Sequence, residues 1–311
     1  MTERATPLYG AIEAGGTKFE CAIARGADEI VARTRIATTD PRATFDAVLQ
    51  FFAGHEAQGP IESFGIASFG PLDLDPRSPA FGRLLATPKP GWRDVDMVGA
   101  LRSRFTQPIA IDTDVNAAAL AESLQGANRT LQSLVYVTVG TGIGGGAING
   151  GELRQGLWHP EMGHIGVRRH AQDQSFAGVC PFHGDCLEGL ANGPAILARW
   201  GRPMSELLTN ELACDIIGGY LAQLAANLVL LIAPERIVFG GGVMSGGALL
   251  PTVRRSLTAQ LAGYIVHPRL EGDLAQFIVE PVLGERAGLT GAIVLAMRAG
   301  SHGGRRDIHA G

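Results

Sequence analysis

A chain of 311 residues with a formal net charge of -4 and 18% charged residues is long enough for two domains with separate cores, and its 46% hydrophobic content is that of a soluble globular protein. The weak acidic excess excludes a nucleic-acid surface, which needs clustered basic residues. The longest apolar run, Leu221 to Ala233, contains Gln223 and Asn227 and is too short to span a bilayer, and Met1 to Pro7 lacks a signal-peptide pattern; a cytoplasmic protein with no membrane partner is expected.

In chain order, Leu8 to Ile12 is an apolar run that ends at Glu13 and enters the turn Ala14-Gly15-Gly16-Thr17. Phe19 to Ala24 and Glu29 to Ile36 read as the next two strands. Asp40-Pro41 has the form of an N-cap with a first-turn proline and opens a helix over Ala43 to Phe52. Ser63 to Ser68 is a strand, and the proline-rich stretch from Pro71 to Trp92 is a long loop, of a length usually tied to function or disorder. Pro108 to Asp112 is a strand and Val115 to Leu124 a helix. Leu134 to Val139 is a strand that enters Gly140-Thr141-Gly142-Ile143-Gly144-Gly145-Gly146, after which Ala147 to Asn149 resumes. This repeats the N-terminal order of apolar strand, Gly/Thr turn and strand, a weak internal repeat. Leu212 to Ala233 is a buried-type helix ended by Pro234, and Arg236 to Phe239 a strand that enters Gly240-Gly241-Gly242. Phe277 to Val282 is the last strand and Ala287 to Ala299 the last helix, followed by a tail, 300–311, expected to be disordered. The intermixed strands and helices give an α/β class. A small domain over 1–113, to which the helix 287–299 can return, and a larger one over 114–286 with a metal loop at 159–188 are expected.

Three groups of residues carry chemistry. The two glycine turns offer free backbone N–H groups, which form an anion-binding concavity, with Thr17 and Thr141 adding hydroxyls and Lys18 a charge. Neither is a Walker loop. Gly140, Gly142 and Gly145 match a dinucleotide fingerprint, but more strand-like sequence follows instead of a helix; plain hairpins without a ligand are the bland alternative. In Ile111-Asp112-Thr113-Asp114-Val115-Asn116, Asp114 stands where a strand gives way to a helix, so it is either an N-cap or an active-site carboxylate. The third group is His159-Pro160-Glu161-Met162-Gly163-His164 followed by Cys180-Pro181-Phe182-His183-Gly184-Asp185-Cys186. In a reducing compartment Cys-x2-His-x2-Cys reads as metal ligands before a disulfide. His164 or His159 would complete a four-ligand, closed structural zinc site. Two ordinary buried cysteines beside surface histidines are the alternative.

Taken in order, these segments resemble the ROK family (repressor, open reading frame, kinase) of the actin-like ATPase superfamily, from Tyr9 to about Met297. Glu13-Ala14-Gly15-Gly16-Thr17-Lys18 is similar to the first phosphate motif, with Glu13 in place of the commoner Asp. Thr138 to Gly145 is similar to the second phosphate hairpin, and Phe239-Gly240-Gly241-Gly242-Val243 to the adenosine-binding run. Asp114-Val115-Asn116 is similar to the family's Asp-x-Asn, which implies that Asp114 is the catalytic base. Glu161-Met162-Gly163-His164 and Cys186-Leu187-Glu188 are similar to the segments whose glutamates reach the sugar and whose histidine binds zinc. Within the family the chain looks most like the bacterial fructokinases, on Tyr9 to Phe19, Ser68-Phe69-Gly70-Pro71-Leu72-Asp73, Thr87-Pro88-Lys89-Pro90-Gly91-Trp92 and the form of the zinc loop.

The resemblance implies a two-domain, ribonuclease H-like fold with an interdomain cleft, and ATP-dependent phosphorylation of a hexose, D-fructose to fructose 6-phosphate. It implies ATP and Mg²⁺ held by Glu13, Gly15, Gly16, Thr17, Lys18, Thr141, Gly142, Gly240, Gly241 and Gly242. The sugar is expected at Gly70, Thr113, Glu161, His164 and Glu188, and structural zinc at His164, Cys180, His183 and Cys186. A homodimer is also expected. The alternatives are a broader glucose and mannose kinase, a non-catalytic sugar-binding regulator and a nicotinamide dehydrogenase. A family repressor carries a DNA-binding domain ahead of its first phosphate motif, for which the dozen or so residues before Glu13 leave no room.

Overall fold

The computed structural model describes residues 6–303. In chain order it comprises β1 (Leu8–Ala14), β2 (Lys18–Gly26), β3 (Glu29–Ala37), α1 (Pro41–Ala53), β4 (Ile61–Ser68), α2 (Met97–Arg102), β5 (Ile109–Thr113), α3 (Asp114–Ser123), β6 (Ser133–Val139), β7 (Ile143–Asn149) and β8 (Glu152–Leu153). The remainder is α4 (Leu187–Ala191), α5 (Gly193–Trp200), α6 (Glu211–Leu231), β9 (Arg236–Gly240), α7 (Leu250–Leu261), β10 (Ile278–Val279) and α8 (Ala287–Gly303).

Two compact units emerge. Among the described residues the first holds those up to 121, 155–159 and those from 286 onward, the second 122–154 and 160–285. The first therefore runs past residue 113 into α3, and it contains α8. The tail expected from residue 300 begins as the last turn of α8; residues 304–311 lie outside the described part.

The first unit is built on a sheet of order β3-β2-β1-β4-β5. Strands β1 and β2 form an antiparallel hairpin, while β4 and β5 join in parallel. Helix α8 lies on β4, where Gly65 lets it approach so closely that any side chain would run into the Ala292 carbonyl. The Ser63 hydroxyl donates to the Ala296 carbonyl at 2.6 Å. An aromatic core of Phe19, Phe45, Phe52, Phe64 and Trp92 fills the space under α1. The proline-rich loop after Pro71 is ordered: Trp92 is fully buried and its indole N–H donates to the Thr39 carbonyl at 2.8 Å. Helix α1 starts as its sequence dictates, with Asp40 accepting from the Ala43 amide at 3.0 Å.

The second unit carries a sheet of order β10-β9-β6-β7-β8. Read from β8, this is the order of the first sheet again: an antiparallel three-strand ribbon β8-β7-β6, then β9 and β10 in parallel. The weak repeat in the sequence is thus a repeat of topology. The 21-residue helix α6, capped by Asn210, packs against α4 and α7 and shares a hydrophobic core with Val137 of β6 and Phe239 of β9, which explains its near-continuous apolar sequence. It is long and apolar enough to cross a membrane by composition, yet 61% of that stretch is buried in the protein core, which accounts for its composition.

Several elements differ from the sequence expectation. The run Ile143 to Gly146 is strand and not turn, because it pairs with Val139 to Tyr136 of β6, and at Gly145 the strand surface is covered by Met162. The last strand shrinks from Phe277–Val282 to Ile278–Val279, since Pro281 has no amide to offer a ladder. Helices α2, α4, α5 and α7 have no counterpart in the sequence reading.

Candidate active site

In the first unit the turn between β1 and β2 holds Gly15, Gly16 and Thr17, closed by the Gly15 amide donating to the Lys18 carbonyl at 2.9 Å. Thr38 pins it: its hydroxyl donates to the Gly15 carbonyl at 2.7 Å and its amide to the Thr17 carbonyl at 3.0 Å. Lys18 is not a lone charge at the turn. It donates to Glu20, which also accepts from Arg33 and from Arg35. Burial alone would raise the Glu20 carboxyl, but hydrogen bonds from Lys18 and Arg33 outweigh it and hold it at about 2. Three cations on one carboxylate leave this face positive. Glu13 pairs across the strands with Glu20. Its carboxyl is pushed up to about 7 by burial first, then by the negative charges of Asp114 and Glu20, against the pull of Lys18 and Arg33.

The β5–α3 junction separates Asp112, Thr113 and Asp114 into different jobs. Asp112 is buried and accepts from the Thr113 amide and the Asn116 side chain, both at 2.7 Å, and from Gln155 at 3.1 Å. Its carboxylate is fully used by structure. Thr113 caps the helix, its hydroxyl accepting from the Asn116 amide at 3.2 Å. The N-cap role open to Asp114 in the sequence therefore belongs to Thr113. Among the described residues Asp114 accepts only from local backbone, the Val115 amide at 2.9 Å and its own amide, and burial pushes its carboxyl up to about 6. A half-buried carboxylate with an uncommitted oxygen and a raised pKa is suited to taking a proton.

His159 also belongs to this unit. It is buried, and its Nε2 accepts from the Leu72 amide at 3.1 Å, beside Gly70. It is not among the four residues whose ligand atoms gather in the second unit.

In the second unit His164, Cys180, His183 and Cys186 place one ligand atom each within 4.8 Å of one another. His164 Nδ1 is 3.5 Å from Cys186 Sγ and 3.8 Å from Cys180 Sγ, and His183 Nδ1 is 3.7 Å from Cys180 Sγ. Tetrahedral zinc with ordinary Zn–S and Zn–N lengths separates such atoms by about 3.6 Å, so the donor set and its spacing fit the ion. The other nitrogen of His164, Nε2, lies 3.9 Å from Glu188 Oε1. Glu188 Oε2 accepts from the Ile143 amide at 2.8 Å. Glu161 immediately precedes the short turn of helix that carries His164, and its carbonyl accepts from the His164 amide.

The turn between β6 and β7, Gly140-Thr141-Gly142, is held from behind. The Gly193 amide donates to the Gly140 carbonyl at 2.7 Å, and the Asn192 side chain donates to the Thr141 carbonyl at 2.9 Å. The run Gly240, Gly241 and Gly242 leaves β9 beside it: Gly241 has φ of 88°, and a side chain there would meet Val139 and Thr138 of β6. Glu20, Thr38, Gln155 and Asn192 have no motif to announce them; only their partners in space reveal them.

Two five-stranded sheets of the same order, each with a glycine turn at its first hairpin, define the actin-like ATPase fold. The chain belongs to the ROK family, whose pattern it matches over residues 9–299. It is 47% identical to the fructokinase of Zymomonas mobilis over 297 residues, which span 94% of this chain and 97% of that protein. Its structure is similar to the ROK hexokinase of Thermus thermophilus, with a TM-score of 0.75 and 26% identity over 94% of this chain and 98% of that one. It is also similar to a ROK glucokinase of Streptomyces griseus in complex with glucose and AMPPNP, with a TM-score of 0.73 and 26% identity over 94% and 99%.

Proposed function

We propose that this protein is a fructokinase, transferring the γ-phosphoryl group of ATP to the 6-hydroxyl of D-fructose. The observation that carries the chemistry is Asp114, left uncommitted because Thr113 caps α3 and raised to about 6 by burial. The identity to a fructokinase over nearly the whole of both chains supports the sugar.

Each glycine turn, Gly15 to Thr17 in the first unit and Gly140 to Gly142 in the second, offers backbone N–H groups suited to phosphate oxygens, and Gly240 to Gly242 offers the adenosine a backbone without side chains. Lys18, with Arg33 and Arg35 around Glu20, supplies positive charge on the first unit's side. Mg²⁺ bound with ATP supplies charge neutralisation at the phosphates. Glu13 fits its outer shell, since a desolvated carboxyl at about 7 is relieved by a nearby cation. Asp114 accepts the proton of the 6-hydroxyl as its oxygen bonds to the γ-phosphorus and the bond to the ADP oxygen breaks. Glu161 and Glu188 accept from the other hydroxyls, with Thr113 and Gly70 at the acceptor end of the first unit.

His164, Cys180, His183 and Cys186 would hold zinc, which would supply a structural cross-link fixing the start of α4, the helix that carries Glu188. His164 Nδ1 faces the cysteine sulfurs and would be its ligand atom, which would leave Nε2 toward Glu188.

Purified protein, ATP and Mg²⁺ are assayed for ADP release with fructose, mannose and glucose. The highest kcat/KM is expected for fructose. Carboxylates pair with hydroxyls of several sugars, so weaker turnover of the other two is consistent with the site. A glucose value above that of fructose makes this a glucokinase; no sugar-dependent turnover would leave a sugar-binding regulator.

A further inference from the structure

We infer that Gln155 is a positioning residue for phosphoryl transfer: through Asp112 it sets the backbone that presents Asp114. This rests on Asp114 as the base proposed above. Asp112 stands at the end of β5 with 2% of its surface exposed, and its carboxylate accepts three hydrogen bonds. Two come from its own neighbourhood, the Thr113 amide and the Asn116 side chain, and both land on Oδ1. The third lands on Oδ2 and comes from Gln155, 43 residues on in the chain. Gln155 opens the short segment, 155–159, by which the chain returns to the first unit after β8. The far end of that segment is fixed as well, by His159 accepting from the Leu72 amide.

The consequence for Asp114 follows from what each atom can accept. A buried carboxylate oxygen without a donor is costly, by about 1–3 kcal/mol for a neutral group and more for a charged one. Without Gln155, the Asp112 carboxylate relieves that cost by rotating or by taking up a proton, and burial already favours the proton. Either change disturbs Oδ1, which orders Asn116. The Asn116 amide has one orientation, because its Oδ1 is buried with no partner, and exchanging it with Nδ2 would set oxygen against carboxylate. Asn116 in turn donates its own amide to Thr113, the cap of α3. Asp114 lies inside this ring and makes none of its bonds. Gln155 therefore touches neither the reacting atoms nor Asp114, and acts through Asp112, Thr113 and Asn116.

The test is a double-mutant cycle on the full chain, with kcat, both KM values and Tm measured for wild type, Gln155→Leu, Asp114→Asn and the double variant. Gln155→Leu keeps volume and removes the donor. It is expected to lower kcat about tenfold or more, leave the KM for ATP within twofold, and have no further effect in the Asp114→Asn background. An equal fall in both backgrounds, or a kcat within twofold of wild type for Gln155→Leu alone, overturns the inference. A second variant guards against simple misfolding. Asp112→Asn with Gln155→Glu exchanges the amide and the carboxylate while keeping every hydrogen bond of the ring. It is expected to recover most of the kcat lost in Gln155→Leu; recovery of Tm without kcat counts against the inference. Wild type without sugar-dependent turnover overturns the kinase reading and this inference together, whereas turnover with an unaffected Gln155→Leu overturns the inference alone.

Discussion

Glu188 accepts a hydrogen bond from the backbone amide of Ile143 at 2.8 Å. One carboxylate oxygen thus anchors the strand that leaves the Gly140–Gly142 turn, while the other lies 3.9 Å from His164 Nε2. In the proposed function, the acceptor and nucleotide elements of the second unit thus share one side chain.

That sharing separates two substitutions. Gly142→Ala would place a Cβ 2.8 Å from Glu188 Oε2 and force the carboxylate away, so KM for ATP and for fructose should both rise, by about tenfold. Glu188→Gln keeps an oxygen that can accept from Ile143 but loses the charge. Its fructose KM should rise about tenfold with the ATP KM little changed. Steady-state kinetics in both substrates distinguishes them; identical profiles for the two variants would break the link between Glu188 and the turn.

Asp114→Asn should lower kcat by about 10²-fold or more, as loss of a general base does, while nucleotide binding persists. In wild type the acid limb of the kcat/KM profile should bend near pH 6, where the Asp114 carboxyl takes up its proton. Because Asp112 is fully hydrogen-bonded, it cannot take over. An Asp114→Asn enzyme with near wild-type turnover would assign Asp114 to structure.

The same carboxyl makes a stability prediction of definite sign. Its folded value of about 6 lies above the ordinary 3.8, so the folded protein binds more protons than the unfolded one between these values. The contribution is fully present below pH 3.8 and is lost as pH rises through 6. Asp114→Asn carries no such charge. Thermal melts should show the variant above wild type by a few degrees at pH 8, with the gap narrowing at pH 5. A gap that grows toward acid has the opposite sign and rules out a desolvated carboxylate.

Protein purified without chelator should contain about one zinc per chain, the stoichiometry of a closed four-ligand site. Cys186→Ser should lose the metal and raise the fructose KM far more than the ATP KM, because Cys186 caps α4, which carries Glu188. His159→Ala should keep the full zinc content, since His159 is bonded to Leu72 in the other unit. Metal analysis of the three proteins checks the zinc contents, and steady-state kinetics of Cys186→Ser checks the two KM values.

Residues that act through their neighbours in the chain could be read from the sequence alone. The glycine turns after β1 and β6 need only a few adjacent residues with small side chains and free amides, and Cys-x2-His-x2-Cys brings three ligands into one loop by spacing. Burial and long-range pairing could not be read in that way. Asp114 and Thr113 are equally good caps by composition, and only the position of Asn116 decides between them. His159 and His164 lie five residues apart, yet the fold sends one to the Leu72 amide and the other to Cys180 and Cys186, because each ring nitrogen is settled by whichever partner the fold brings within reach. Gln155 shows no pattern at all: its role exists only because the chain after β8 returns to the first unit, where a buried carboxylate oxygen would otherwise lack a donor.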